Sequence, residues 1–203
     1  MKAKTNNVAA AILAGGSNSR MGGLNKAFIR INGVPVIKIA LGLLKKSFKE
    51  IIIVTNSPHN FKSYQKEAII TEDLIKDAGP LGGIHSALIK TSKRGVFFVA
   101  CDMPFLHNAL INRLIKHFNR LGCEAVVPRI NSLIEPMHAV YRSSLGDRLG
   151  SFLRMSSDYS IKSFLRGKDV EYLDLEDNPL NRRIFKNLNT PDDLKKAIGA
   201  GWK

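Results

Sequence analysis

Residues 13–26 read LAGGSNSRMGGLNK and follow an apolar run. Gly15, Gly16, Gly22 and Gly23 give up backbone order and bury no side chain, which suits a loop whose backbone must come close to a ligand. Arg20 and Lys26 add a planar fork and a mobile point charge, both suited to phosphate oxygens. The spacing is not that of a Walker loop, because Lys26 stands three residues past Gly23 and is followed by Ala27. It is not the dinucleotide fingerprint either, because the glycines come in adjacent pairs. The bland alternative is a tight strand–turn–helix corner carrying two surface cations. Two cations inside one glycine loop favour an anion site instead.

Four further stretches carry candidate chemistry. Asn56 follows the β-branched run EIIIVT, where its amide either reads a base or holds a loop. Asp73 and Asp77 precede GPLGG, and Gly79, Gly82 and Gly83 flank an expected helix start, which is a natural anion site. Either aspartate is also a plausible cap or turn former. Asp102, in ACDMP at the end of an apolar strand, has few structural duties. It is placed to bind Mg2+, which takes one or two carboxylates plus phosphate oxygens, with an Asx-turn as the alternative. In KNLNTPDD, Thr190 and Pro191 open a capped helix, whereas Asn187 and Asn189 have no such structural duty. The five histidines show no metal-ligand spacing; His85 and His138 stand out by position only. There is no nucleophile elbow and no Cys–His pairing.

These residues must be held by the elements between them. Short β-rich runs alternate with amphipathic helical stretches along the chain. Strands are expected over 8–13, 27–31, 50–55, 68–71, 95–101, 124–128, 137–141 and 170–173. Helices are expected over 35–48, 81–90, 108–121, 145–155, 160–165 and 190–198. Asn32-Gly33 marks a turn. In the first helix Val36, Ile39, Ala40 and Leu43 are expected to face inward; in the third, Leu110, Ile111, Leu114, Ile115 and Phe118. The alternation predicts an α/β sandwich with a mostly parallel sheet. Ligands of such sheets bind at the carboxyl ends of the strands. The loops after residues 13, 55 and 101 all fall there.

The chain has 203 residues, 44% hydrophobic and 24% charged, the composition of one globular domain spanning 1–203. Cys101 and Cys123 read as reduced core thiols, consistent with a cytoplasmic location. No apolar run is long enough to span a membrane, and VAAAILAGG reads as a buried strand, not a signal peptide. The net charge of +14 attracts anions in general and does not choose among them. A nucleic-acid partner is not expected, because the chain lacks a recognition motif and an aromatic stacking stretch.

Taken together, LAGGSNSRMGGLNK, VTN, ED before GPLGGI, CDMPF, EPMHAVY and NLNTPDDL resemble the ordered motifs of the molybdenum cofactor guanylyltransferases, the MobA family. The resemblance runs from residue 8 to about 198. It implies an α/β fold, a Rossmann-like three-layer α/β/α sandwich with a mostly parallel (mixed) sheet, and a nucleotidyltransferase that joins GMP from GTP to the molybdopterin cofactor, releasing pyrophosphate. Leu13, Ala14, Gly15 and Gly16 would then line the guanine and ribose site. Lys26 and Arg20 would meet phosphates, Asn56 and Asp73 the nucleoside, and Asp102 Mg2+. Asn187 and Asn189 would meet the pterin substrate. His138 departs from the family pattern, which commonly has a small residue there. Transient contact with molybdoenzymes or cofactor-synthesis proteins would follow. The alternatives are a sister enzyme using CTP or another nucleotide, and a non-catalytic nucleotide-binding adaptor.

Overall fold

The computed structural model describes residues 7–15, 25–188 and 193–194. Its frame begins at β1 (Val8–Leu13), six buried residues in a row, as befits a strand covered on both faces. A hairpin of β2 (Arg30–Ile31) and β3 (Val34–Pro35) turns through Asn32 and Gly33, both at positive φ, as a two-residue hairpin turn requires. Then come α1 (Val36–Leu44), β4 (Ile51–Val54), β5 (Ile69–Thr71), α2 (Gly79–Lys90), β6 (Gly95–Ala100) and α3 (Asn108–Leu121). The remainder is β7 (Ala125–Ile130), β8 (Leu133–Ile134), β9 (Val140–Arg142), α4 (Leu145–Met155), α5 (Ile161–Leu165), β10 (Val170–Leu175) and α6 (Pro179–Ile184).

The main sheet runs β10-β7-β9-β6-β1-β4-β5, with β8 paired to β7. β5, β4, β1 and β6 are mutually parallel, β10 is parallel to β7, and β9 runs antiparallel between β6 and β7. Side chains alternate across the sheet. Ala10, Ile12, Ile53, Phe97 and Val99 pack on one face with α1, α3 and α6, while Ala9, Ala11, Leu13, Ile52 and Phe98 pack on the other with α2, α4 and α5. This is the expected α/β/α sandwich with a mixed sheet.

Several local expectations need correction. Residues 27–31 are not one strand. Asn25 Oδ1 accepts from the Ala27 N–H at 3.0 Å and caps a short 3-10 helix, Lys26–Phe28, which buries Ala27 before β2 begins. In α1 the buried face is Val36, Ile37, Ala40, Leu41 and Leu44, so Ile39 and Leu43 lie off it. The segment VIKIALGLL is apolar nearly all round, so its periodicity does not fix the inner face. The third helix buries the five residues expected of it. Helix α6, with Asn178 as N-cap and Pro179 at its first position, was not expected. Of the expected terminal helix, only residues 193–194 are described.

Candidate active site

Strand register sets the site. Leu13 pairs with Val54 and with Ala100, and Val54 pairs with Thr71. The carboxyl ends of β1, β4, β5 and β6 therefore finish level with one another. Main-chain bonds continue that alignment past the strands: Cys101 N–H donates to Leu13 O at 3.0 Å, Ala14 N–H to Val54 O at 2.8 Å and Thr55 N–H to Thr71 O at 2.9 Å. As a result Ala14-Gly15, Asn56, Asp73 and Asp102 emerge at one edge of the sheet. They open onto a cleft of roughly 790 Å³, a size that accommodates a nucleotide-sized ligand.

One wall is built around Asp73. Asn56 Nδ2 donates to Asp73 Oδ2 at 2.7 Å, and Lys76 Nζ donates to Asn56 Oδ1 at 2.9 Å. A Cβ on Gly15 would lie 3.8 Å from Asp73 Oδ2, and one on Gly83 would lie 3.5 Å from Asp73 Oδ1 and 3.0 Å from Leu13 Cδ2. Glycine at these positions is what brings strand end, helix start and carboxylate together. Burial pushes the Asp73 carboxyl above the usual range, opposed by the Asn56 hydrogen bond and by Lys76. Asp77 takes a positive φ of 58° just before α2, so its turn-forming role is realised, and it also lines the cleft.

The centre of the cleft holds an ion pair. Lys26 Nζ donates to Asp102 Oδ2 at 2.9 Å, with the two side chains 26% and 14% exposed. The C-terminal segment is fastened to the same point: Leu188 N–H donates to Asp102 O at 2.8 Å, and Asn187 lines the cleft. Leu13, Ala14, Gly15, Lys26, Asn56, Asp73, Asp102 and Asn187 are thus brought together, as expected. Gly16, Arg20 and Asn189 lie outside the described residues.

Residues not singled out beforehand also line the cleft, chiefly Asn25, Met103, Glu135 and Met137. Glu135 and Met137 lead into β9. Because β9 is antiparallel, its beginning lies where its parallel neighbours end. Glu135 is held there by its N–H, which donates to Pro128 O at 3.0 Å. Burial raises its carboxyl pKa.

His138 belongs to the core. It is fully buried, its ring makes edge contacts with Phe97 and Phe185 at centroid distances of 5.0 and 5.4 Å, and burial lowers its pKa to about 3. His85 lies on the buried face of α2 against Gly150 of α4, its pKa lowered by burial and then by Arg154. Cys101 and Cys123 are buried free thiols. Burial pushes Cys101 up to about 12, which rules out a ready thiolate nucleophile.

Among the described residues no group of three or more His, Cys, Asp or Glu side chains could hold a metal alone. Asp102 at the cleft centre, with Asp73 on the wall, is the sparse carboxylate set that suits Mg2+ shared with phosphate oxygens. No helix among the described residues is long and apolar enough to cross a membrane.

Residues 10–175 match the family model of the MobA-like NTP transferase domain. A probable molybdenum cofactor guanylyltransferase of Peptoclostridium acidaminophilum is 36% identical, over 92% of this chain and 86% of the relative. The molybdenum cofactor guanylyltransferase of Vibrio atlanticus is 34% identical, over 90% of this chain and 91% of the relative. The crystal structure of molybdopterin-guanine dinucleotide biosynthesis protein A from Archaeoglobus fulgidus superposes with a TM-score of 0.79 at 28% identity, covering 95% of this chain and 97% of the other.

Proposed function

Because the chain belongs to the MobA-like NTP transferase family, we propose that it transfers GMP from GTP to molybdenum-molybdopterin, yielding the guanine dinucleotide cofactor and pyrophosphate. The observation that carries this reading is the level alignment of Gly15, Asn56, Asp73 and Asp102 on four strand ends around one cleft, with Lys26 paired to Asp102 at 2.9 Å. The guanylyltransferase names of the relatives supply the nucleotide and the acceptor.

In this reading a terminal phosphate oxygen of the acceptor attacks the α-phosphorus of GTP. A new P–O bond forms, the bond from the α-phosphorus to the bridging oxygen breaks, and pyrophosphate leaves with that electron pair. Such a reaction asks mainly for positioning and charge neutralisation. Gly15 and Gly83 let backbone approach the nucleoside, and Asn56 and Asp73 supply hydrogen-bonding groups beside it. Lys26 meets phosphate oxygens once it leaves Asp102, and Arg20 adds a second cation. Asp102 would hold Mg2+, with Asp73 lining the same cleft. When bound, that ion would supply neutralisation of phosphate charge as pyrophosphate leaves. Asn187, and Asn189 beyond it, meet the pterin side. The whole chain acts as one nucleotidyltransferase domain, working in the cytoplasm, where its two buried thiols stay reduced. Transient handover contacts with molybdoenzymes or cofactor-synthesis proteins accompany the reaction.

Thermal melts with GTP, CTP and ATP, each with and without Mg2+, test the nucleotide. Ligand at about 100 times its Kd stabilises by about 2.7 kcal/mol, a shift of roughly 2–4 °C per kcal/mol for a chain of this size. The largest shift is expected for GTP with Mg2+. A larger shift with CTP would move the substrate to a cytidylyl transfer.

A further inference from the structure

The cleft has two unlike walls. On the β1, β4, β5 and α2 side stand Gly15, Asn56, Asp73 and Gly83; on the β9 side stand Glu135, Met137 and Asn187. Asp102, at the end of β6, separates them, because β6 lies between β1 and β9 in the sheet. The glycine-lined wall allows the close backbone approach that a nucleotide needs. A transferase with two substrates then presents its other wall to the acceptor.

On that second wall Glu135 is an anomaly. Its side chain is half-buried and borders the cleft. Among the described residues its carboxylate has neither a hydrogen-bond nor an ion-pair partner; only its main chain is engaged, with Pro128 and His138. Among the described residues, burial is the one influence on its ionisation. Its oxygens face the open cleft and are not shut off from solvent, so a ligand that displaces water there must supply donors to them. It repels phosphate, so it does not serve the phosphate ends of either substrate. An ionised carboxylate is acceptor-only, with two oxygens that match a pair of adjacent N–H donors. Met137 beside it offers a polarizable, adaptable surface for a flat ring.

We infer that Glu135 is the specificity residue of the acceptor wall, accepting hydrogen bonds from the ring N–H and exocyclic amino group of a 2-amino-4-oxopyrimidine edge, as a pterin presents. The inference rests on the proposed transfer to a pterin-bearing acceptor. It adds the residue that tells an aminopterin from its dioxo counterpart. With the phosphate end at Lys26 and the heterocycle at Glu135, the acceptor lies across the cleft with its nucleophilic oxygen toward the centre.

The test uses free pterin and lumazine, which carries a carbonyl in place of the 2-amino group. Each fluorescent ring is titrated with the full-length protein, alone and with GTP and Mg2+, at a pH where the pterin ring is neutral. Wild-type protein is expected to bind pterin at least about tenfold more tightly than lumazine, roughly 1.4 kcal/mol. Glu135→Gln, similar in size, should lose most of that discrimination and keep its melting temperature. Equal binding of the two rings by wild-type protein, binding of neither, or an unchanged ratio in E135Q would each overturn the inference. A GTP melt on the same samples reads the transferase proposal separately. Pterin discrimination without any nucleotide shift would support Glu135's role while refuting the guanylyl transfer.

Discussion

Lys26 Nζ lies 2.9 Å from Asp102 Oδ2, joining a 3-10 helix after the glycine loop to the end of β6 across 76 residues of sequence. Each partner of this pair also has a task in the proposed transfer, one toward phosphate and one toward Mg2+. On that proposal, the pair is a preformed centre that substrates must open. Asp102→Asn should lower kcat by at least about a hundredfold, the scale of losing one electrostatic contributor to the transition state. Nucleotide binding should weaken much less. Lys26→Met should weaken GTP binding and turnover together, and the double variant should lose less than the sum of the two. Steady-state kinetics with titrated GTP separates these outcomes; full activity in D102N would contradict the assignment.

Asn56 is tied to Asp73 and Lys76 on the wall proposed to meet the nucleoside. Its amide donates to Asp73 at 2.7 Å and accepts from Lys76 at 2.9 Å. Asn56→Ala should leave the melting temperature nearly unchanged and weaken GTP binding by about 1–2 kcal/mol, roughly five- to thirtyfold. Isothermal titration of GTP with Mg2+ measures this, and unchanged affinity would mean the clamp has no part in nucleotide binding.

Gly95 offers a test of the core remote from the cleft. A Cβ there would stand 2.6 Å from Phe118 Cζ and 3.0 Å from Tyr141 O. Gly95→Ala should destabilise the fold by about 1–3 kcal/mol through overpacking, seen as a lower denaturation midpoint. Nucleotide affinity of the folded protein should stay the same.

His138 makes acid stability depend on one buried ring. Its pKa falls from 6.5 to about 3 on burial, so the folded state keeps it neutral while the unfolded chain takes up a proton. Its contribution is complete above about pH 6.5 and is lost as pH falls from there toward 3, by up to about 1.4 kcal/mol per pH unit. His138→Leu removes this dependence. The stability gap between H138L and wild-type protein should therefore shift in the variant's favour between pH 7.5 and pH 5 in urea melts. A parallel decline of the two proteins would show that His138 is neutral or charged alike in both states.

Much of this arrangement was legible in the residues because local chemistry and global fold agree. β1 could be read from an apolar run that stops at glycine, and α3 from five apolar residues on one helical face. The site residues Asn56, Asp73 and Asp102 could be read from their place just past strand ends, which parallel register then brings level. Glu135 was not legible in the same way. It precedes an antiparallel strand, and only knowledge that β9 enters the sheet between β6 and β7 puts its N-terminal approach at the cleft. The inner face of α1 was misassigned because a helix apolar nearly all round carries no phase. The segment 27–31 was misassigned because its β-forming residues yield to the Asn25 cap. His138 stands out in the sequence only by position and as a departure from the family pattern; its aromatic enclosure by Phe97 and Phe185 depends on contacts distant in sequence.

The most direct measurement is label transfer. The protein is incubated with GTP labelled at the α-phosphate, molybdenum-molybdopterin and Mg2+, and products are separated after a single turnover and at steady state. The account predicts label in a guanine dinucleotide form of the cofactor, one pyrophosphate released per transfer, and little transfer when CTP replaces GTP. Label that stays on GTP in the presence of intact acceptor, or that moves preferentially from CTP, would contradict it.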